Sequence, residues 1–183
     1  MRYEKLLQLI EIFQPQTILE IGTWNGDNAV RMISAAKAVW GNDVSYIGYD
    51  LFEDATSETD AKEFNVKPHS NYQDVLDKLL DTGAQISLVQ GDTNQTLTEV
   101  IADFVFIDGG HSVETIGADY LKVRKSPVIV FDDYYTPDEN GEMPDISRLG
   151  CNKIVESLSH AVIESEDRVQ GGGYVNLAVA FGG

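Results

Sequence analysis

Apolar positions along this chain alternate between two rhythms. Leu6, Leu7, Leu9, Ile10 and Phe13 share one face of a helix over residues 3–13, which Pro15 ends. TILEI (17–21) then reads as a strand, and residues 27–40 as a helix with Val30, Ile33 and Val39 among its apolar positions. VSYIGYD (44–50) predicts a second strand, YQDVLDKLLDTG (72–83) a helix closed by Gly83, and ISLVQGD (86–92) a third strand. A short helix around 94–101 leads into DFVFIDGG (103–110), whose nearly unbroken apolar run suits a central strand covered on both faces. Residues 112–124 predict a helix, PVIVFDD (127–133) a fifth strand, and residues 149–158 another helix. AVIESEDRV and YVNLAVAF, joined by Gly171–Gly173, predict an antiparallel hairpin. Two stretches lack a period. Residues 52–71 are acidic, then polar, and read as a loop with one helical turn at most; residues 134–148 read as a long loop.

Strands alternating with helices imply a parallel sheet with right-handed crossovers. The predicted architecture is α/β and Rossmann-like: a doubly wound, mostly parallel seven-stranded sheet with helices on both faces and a C-terminal antiparallel hairpin. The chain has 183 residues, which suits a single domain over residues 1–183. A domain of this size buries roughly 70% of its unfolded surface, enough for a full core.

Charge and cysteine content narrow the classes of function. Thirteen basic residues stand against 30 acidic ones, a net charge of −17. Most of such a surface repels a phosphate backbone, so no nucleic-acid partner is expected. No apolar run approaches the ~20 residues that cross a bilayer, and no membrane partner is expected. The first 16 residues read as an amphipathic helix and not a signal peptide. The lone cysteine, Cys151, has no partner for an internal disulfide. The expected location is the cytoplasm.

The candidate chemistry lies at strand ends. ILEIGTWNG (18–26) runs a strand into a glycine-bearing turn that opens a helix, and the next strand ends in Asp50. This places bare backbone amides and a helix N-terminus beside a carboxylate able to hold a ribose. A dinucleotide turn would read G-x-G-x-x-G. Here Trp24 stands two residues after Gly22, where a pyrophosphate would meet an indole, which disfavours a NAD-binding oxidoreductase. A looser turn between Gly22 and Gly26 suffices for an adenosyl cofactor without pyrophosphate. Leu51 and Phe52 would wall the adenine.

Asp108 ends the fourth predicted strand, and Asp132 and Asp133 end the fifth. Neighbouring strands lie ~4.8 Å apart, so three carboxylates converge beside the cofactor cleft. No lysine or arginine in the adjoining segments is an obvious counter-charge, and a hard divalent cation is the simplest compensation. The alternative is that Asp133 caps a turn and Asp108 touches only cofactor or backbone. His111 follows Gly109–Gly110 and is a candidate general base, or else a helix-start histidine bonding its own backbone.

LEIGTWNG (19–26), YIGYDLFED (46–54), LVQGDTNQTL (88–97), FVFIDGGHS (104–112) and VIVFDDYY (128–135), in that order, resemble the class I S-adenosylmethionine-dependent methyltransferases. Within that superfamily the chain is similar to the small metal-dependent O-methyltransferases of the macrocin and catechol type, over nearly its whole length. The resemblance implies S-adenosylmethionine bound by Glu20, Gly22, Thr23, Gly26 and Asn28 at the methionine end, Asp50, Leu51 and Phe52 at the nucleoside, Asp92 with Thr93 at the adenine amino group, and Asp108 alongside. Asp92 serves equally well as a helix N-cap. The resemblance further implies a divalent metal, Mg²⁺ above others, on Asp108, Asp132 and Asp133. The implied reaction is methyl transfer to a hydroxyl of a small molecule, either catechol-like or a sugar, with His111 and Asp108 in catalytic roles. Tyr134, Tyr135 and Trp24 are candidates for the acceptor pocket. The short chain has no large lid, which leaves the acceptor exposed or covered by a second subunit in a homodimer. A catalytically silent adenosyl-binding module is the remaining alternative.

Overall fold

The structure is a computed structural model that describes residues 1–169 and 171–182. Seven strands form one sheet: β1 (Thr17–Ile21), β2 (Ser45–Asp50), β3 (Gln85–Gln90), β4 (Phe104–Ile107), β5 (Val128–Thr136), β6 (His160–Ile163) and β7 (Tyr174–Phe181). Their order is β3-β2-β1-β4-β5-β7-β6. β1 to β5 pair in parallel, and β7 enters antiparallel between β5 and β6. This is the doubly wound sheet with a closing hairpin that the sequence predicts. Among the described residues no helix is long and apolar enough to cross a membrane.

Strand parity divides the core. Ile18, Phe104, Phe106, Val128 and Val130 face one layer, made by α1 (Arg2–Phe13), α2 (Asp27–Trp40) and α4 (Tyr72–Leu80). Leu19, Ile21, Val105, Ile107, Ile129 and Phe131 face the other, made by α6 (Val113–Val123) and α7 (Asn152–Val155), with the short α5 (Thr93–Thr96) packed on α6. α2 shows the cause of the packing: Ala29, Met32, Ile33 and Ala36 recur at helical spacing and all are buried.

The differences from the sequence reading lie mainly outside the core. Residues 52–71 contain a 3₁₀ turn at Phe52–Asp54 and the helix α3 (Ser57–Glu63). α3 buries none of its residues, so it has no apolar period to read. A reciprocal cap starts it: Thr56 Oγ1 accepts from the Thr59 amide, and Thr59 Oγ1 accepts from the Thr56 amide. β5 runs on to Thr136, past the predicted end at 133, because β7 pairs with Tyr134–Thr136 beyond a register shift. β6 spans only 160–163, after which the chain rejoins β7 through a single bridge, Arg168 to Tyr174.

Candidate functional site

The carboxyl ends of the parallel strands open into a cleft of about 1020 Å³, counted out to its mouth. That is ample for a nucleoside-sized ligand. Gly22, Asp50, Leu51, Asp92, Thr93, Asp108 and His111 line it, together with Trp24 and the α3 segment. Glu20, Thr23, Gly26, Asn28 and Phe52, expected around the cofactor, do not line it. Phe52 is fully buried with its ring edge-on to Tyr72. Gly26 opens α2 in a left-handed conformation with φ 76°.

Gly22 is where the turn and β4 come closest. The Asp108 amide donates to the Ile21 carbonyl (2.8 Å). A Cβ on Gly22 would lie 2.2 Å from the Asp108 carbonyl oxygen, and φ is +92°. Only glycine fits there.

Asp50 joins the two loops beside it. One carboxylate oxygen accepts from the Trp24 amide (2.7 Å) and the other from the Phe52 amide (2.9 Å). Each oxygen keeps a second lone pair. Asp92 accepts from the Asn94 amide (2.9 Å) and so caps α5. Glu20 and Thr23 both reach the Tyr46 hydroxyl, with Glu20 accepting its proton. Burial raises the Glu20 carboxyl to about 8; it is held inside the sheet layer, not aimed at the cleft.

The three aspartates do not form the expected cation site. Asp108 and Asp132 both face α1, where the Tyr3 hydroxyl reaches each, whereas Asp133, at an irregular point of β5, is turned to His111. The Arg2 Nε donates to both oxygens of Asp132, at 2.6 and 2.9 Å. The Tyr3 hydroxyl lies 3.0 Å from Asp108 Oδ2 and 3.2 Å from Asp132 Oδ2. The Arg2 backbone amide, at the start of α1, donates to Asp167 (2.9 Å). The counter-charge that seemed missing is therefore Arg2, brought from a segment 130 residues away in sequence. Among the described residues no three His, Cys, Asp or Glu side chains gather as a metal-ligand group. The assignment of Asp108, Asp132 and Asp133 as ligands of Mg²⁺ does not fit this geometry, because a guanidinium already grips Asp132. Burial, then Asp132 and Asp133, hold the Asp108 carboxyl well above the usual carboxylate range.

Asp133 sits at the β5 register shift with φ 58°. Its Oδ2 lies 3.6 Å from His111 Nε2. The other ring nitrogen, Nδ1, lies 2.8 Å from the Glu63 carbonyl oxygen. A carbonyl only accepts, so Nδ1 carries the hydrogen of the neutral ring and Nε2 keeps a lone pair. Burial and Asp132 raise the Asp133 carboxyl, while His111 draws it down.

The roof of the cleft went unread in the sequence. The Glu63 carboxylate accepts from the Ser112 amide (2.9 Å), the Ser112 hydroxyl (3.2 Å) and the Thr115 hydroxyl (2.6 Å), at the N-terminus of α6. On the opposite margin the Trp24 indole donates to the Pro68 carbonyl (2.9 Å). His69, an exposed residue, lies at the rim of this cleft and pairs with Asp60 (2.7 Å). Tyr134 and Tyr135 do not line the cleft, and Tyr135 is buried. His160 begins the edge strand β6.

A family model described as a methyltransferase domain matches residues 19–134, which span β1 to β5 and every strand end of the site. The chain belongs to this methyltransferase family. No curated protein matches this methyltransferase in sequence. Its fold is shared by TomG of Streptomyces achromogenes, an O-methyltransferase involved in tomaymycin synthesis, solved in complex with SAM (18% identity, 99% of this chain and 79% of that one, TM-score 0.63). An O-methyltransferase from Bacillus cereus, solved in complex with SAH, is similar at 12% identity, over 98% of this chain and 80% of that one, with TM-score 0.59. The N-terminal domain of EvdMO1, solved in the presence of SAH and D-fucose, is similar at 14% identity, over 100% and 83%, with TM-score 0.62. The methyltransferase thus has the class I architecture implied by its motifs.

Proposed function

We propose that this methyltransferase binds S-adenosylmethionine in the cleft and methylates a hydroxyl of a small molecule. The observation that carries this is the His111 tautomer: a partly buried hydrogen bond to the Glu63 carbonyl holds Nδ1–H, which leaves Nε2 as a base at the cleft, with Asp133 Oδ2 3.6 Å from that same nitrogen. The sulfonium supplies an electrophilic methyl group when bound. Asp50 would hold the ribose hydroxyls with its remaining lone pairs, and the Gly22 turn lets backbone approach the ligand closely. His111 Nε2 takes the acceptor proton as the oxygen–carbon bond forms and the carbon–sulfur bond breaks. The resulting imidazolium faces the Asp133 carboxylate. Otherwise the protein aligns the reactants and the roof excludes water. Arg2 supplies the counter-charge of Asp132 and the Tyr3 hydroxyl donates to the same carboxylate pair, so no step is assigned to a metal.

Calorimetry tests the cofactor and a substitution tests the base. S-adenosylhomocysteine should bind and NADH should not; the opposite pattern would falsify the assignment. With radiolabelled S-adenosylmethionine and a panel of catechols and sugars, His111→Gln should lower turnover by about 10²-fold or more without changing S-adenosylhomocysteine affinity. Full activity in that variant would remove His111 from the reaction.

A further inference from the structure

Lys62, in the last turn of α3, lines the cleft one residue before Glu63, whose carbonyl anchors His111. Three acids share α3 with it, and none is free to take its charge. Glu58, four residues earlier, is spaced for a helical ion pair, yet the carboxylate within ion-pair distance is that of Glu63, whose Oε1 lies 3.7 Å from the ammonium. That is past hydrogen-bond reach. Glu63 Oε1 already accepts from the Ser112 and Thr115 hydroxyls, which fills both lone pairs. Asp60 is taken by His69. The Lys62 side chain is 47% exposed, so its ammonium is open to a ligand.

Neighbouring cations are engaged elsewhere. Lys67, which also lines the cleft, lies over the Trp24 ring (5.3 Å to its centre), beside the Gly22 turn. Arg2 grips Asp132. Lys62 is therefore the cation on the His111 margin, where the acceptor gives up its proton. A chain of net charge −17 repels anions at long range, so an anionic ligand needs a local cation to hold it. Glu63 does not cancel this charge, because the donors at the start of α6 already compensate its carboxylate. One ammonium suits the single charge of a carboxylate. A phosphate dianion ordinarily draws on arginines or on several backbone amides.

We propose that Lys62 binds a carboxylate carried by the methyl acceptor, so that the substrate is a hydroxy acid. This rests on the methyl transfer to a hydroxyl proposed above. The ammonium and His111 Nε2 then fix two points of the acceptor: one holds the acid group, and the other receives the hydroxyl proton. A neutral analogue of the same shape leaves the ammonium unpaired and loses that contact.

The test is isothermal titration calorimetry of the full chain saturated with S-adenosylhomocysteine. Two matched pairs serve as probes: protocatechuate with its neutral amide, and glucuronate with glucose. In at least one pair the acid should bind about tenfold or more tighter than its neutral counterpart, and less so as salt is raised. Lys62→Gln should bring that ratio to within about twofold of unity and leave the affinity for S-adenosylhomocysteine unchanged. Lys67→Gln should leave the ratio within about twofold of the parent's. Absence of a preference in both pairs overturns the proposal, as does failure of both acids to bind, and neither comparison needs a variant to fold. A preference that survives Lys62→Gln overturns it too, and so does an equal loss of preference in Lys67→Gln, which would reduce the effect to general charge. If Lys62→Gln weakens S-adenosylhomocysteine as much as the acid, the lysine holds the cofactor's own carboxylate and the proposal falls. All these results leave the cofactor assignment standing, whereas failure of the unaltered protein to bind S-adenosylhomocysteine overturns the two together.

Discussion

Replacing Arg2 with alanine removes the guanidinium that grips Asp132 and supports the Tyr3 hydroxyl. The Asp132 side chain is 1% exposed and that of Arg2 18%, so the pair is largely shielded from water. Breaking a buried pair by deleting one partner costs roughly 3–5 kcal/mol, because the remaining charge stays buried and uncompensated. The partial exposure of Arg2 places the expected loss near the lower end, about 3 kcal/mol. For a domain of this length that is a fall in melting temperature of about 6–12 °C. Urea and thermal unfolding at neutral pH measure it. Adding Asp132→Asn should restore part of the loss, with a coupling energy of roughly 1–3 kcal/mol. A melting temperature within about 2 °C of the parent, or additive effects in the double variant, would refute the claim that Arg2 neutralises this floor. Repeating the melts in MgCl₂ and in EDTA adds a second check: the parent protein should melt alike in both. Stabilisation by Mg²⁺ would mean that a cation competes successfully with the guanidinium.

Three further outcomes are expected. Glu20 binds its proton up to about pH 8 in the folded protein against 4.5 as the ordinary value; the folded state therefore holds more protons between those limits, and this contribution to stability is full at low pH and lost as pH rises towards 8. Glu20→Gln should remove that slope, and equal stability differences from the parent near pH 5 and near pH 8.5 would exclude it. Gly22→Ala drives a methyl group into the Asp108 carbonyl and should cost about 3 kcal/mol or more and abolish S-adenosylhomocysteine binding, as read by melting and calorimetry. Glu63→Ala unlatches the roof: limited proteolysis should cut within residues 56–70 sooner than in the parent, with only about 1–3 kcal/mol lost globally; equal cleavage rates would count against the latch.

Much of the scaffold was legible because its signals are local. α2 and β1 fall at the predicted residues 27–40 and 17–21, since period and glycine punctuation coincide there. The floor of the cleft was legible for the same reason: Gly22, Asp50, Asp92 and Asp108 follow or end strands. What escaped was decided over long separations. Arg2 and Tyr3 belong to a helix that reads only as an apolar stripe, and nothing in their own neighbourhood points to Asp108 or Asp132. Phe104, Phe106 and Asp108 share parity, as do Val128, Val130 and Asp132, which puts Asp108 and Asp132 on one face; the register shift at Asp133 leaves no such trace in the sequence. α3 left none beyond its threonine cap, because the residues it turns inward, Thr59, Asp60, Lys62 and Glu63, are polar and give no apolar period.

α3 has a consequence of its own. α3 adds no residue to the two hydrophobic layers, and polar contacts, chiefly those of Glu63 with Ser112 and Thr115, hold it over the cleft. Such a cover can swing aside, or change its residues wholesale, while the sheet beneath stays intact. On the proposed function, entry and choice of acceptor would then rest on these polar positions and stay uncoupled from folding of the core.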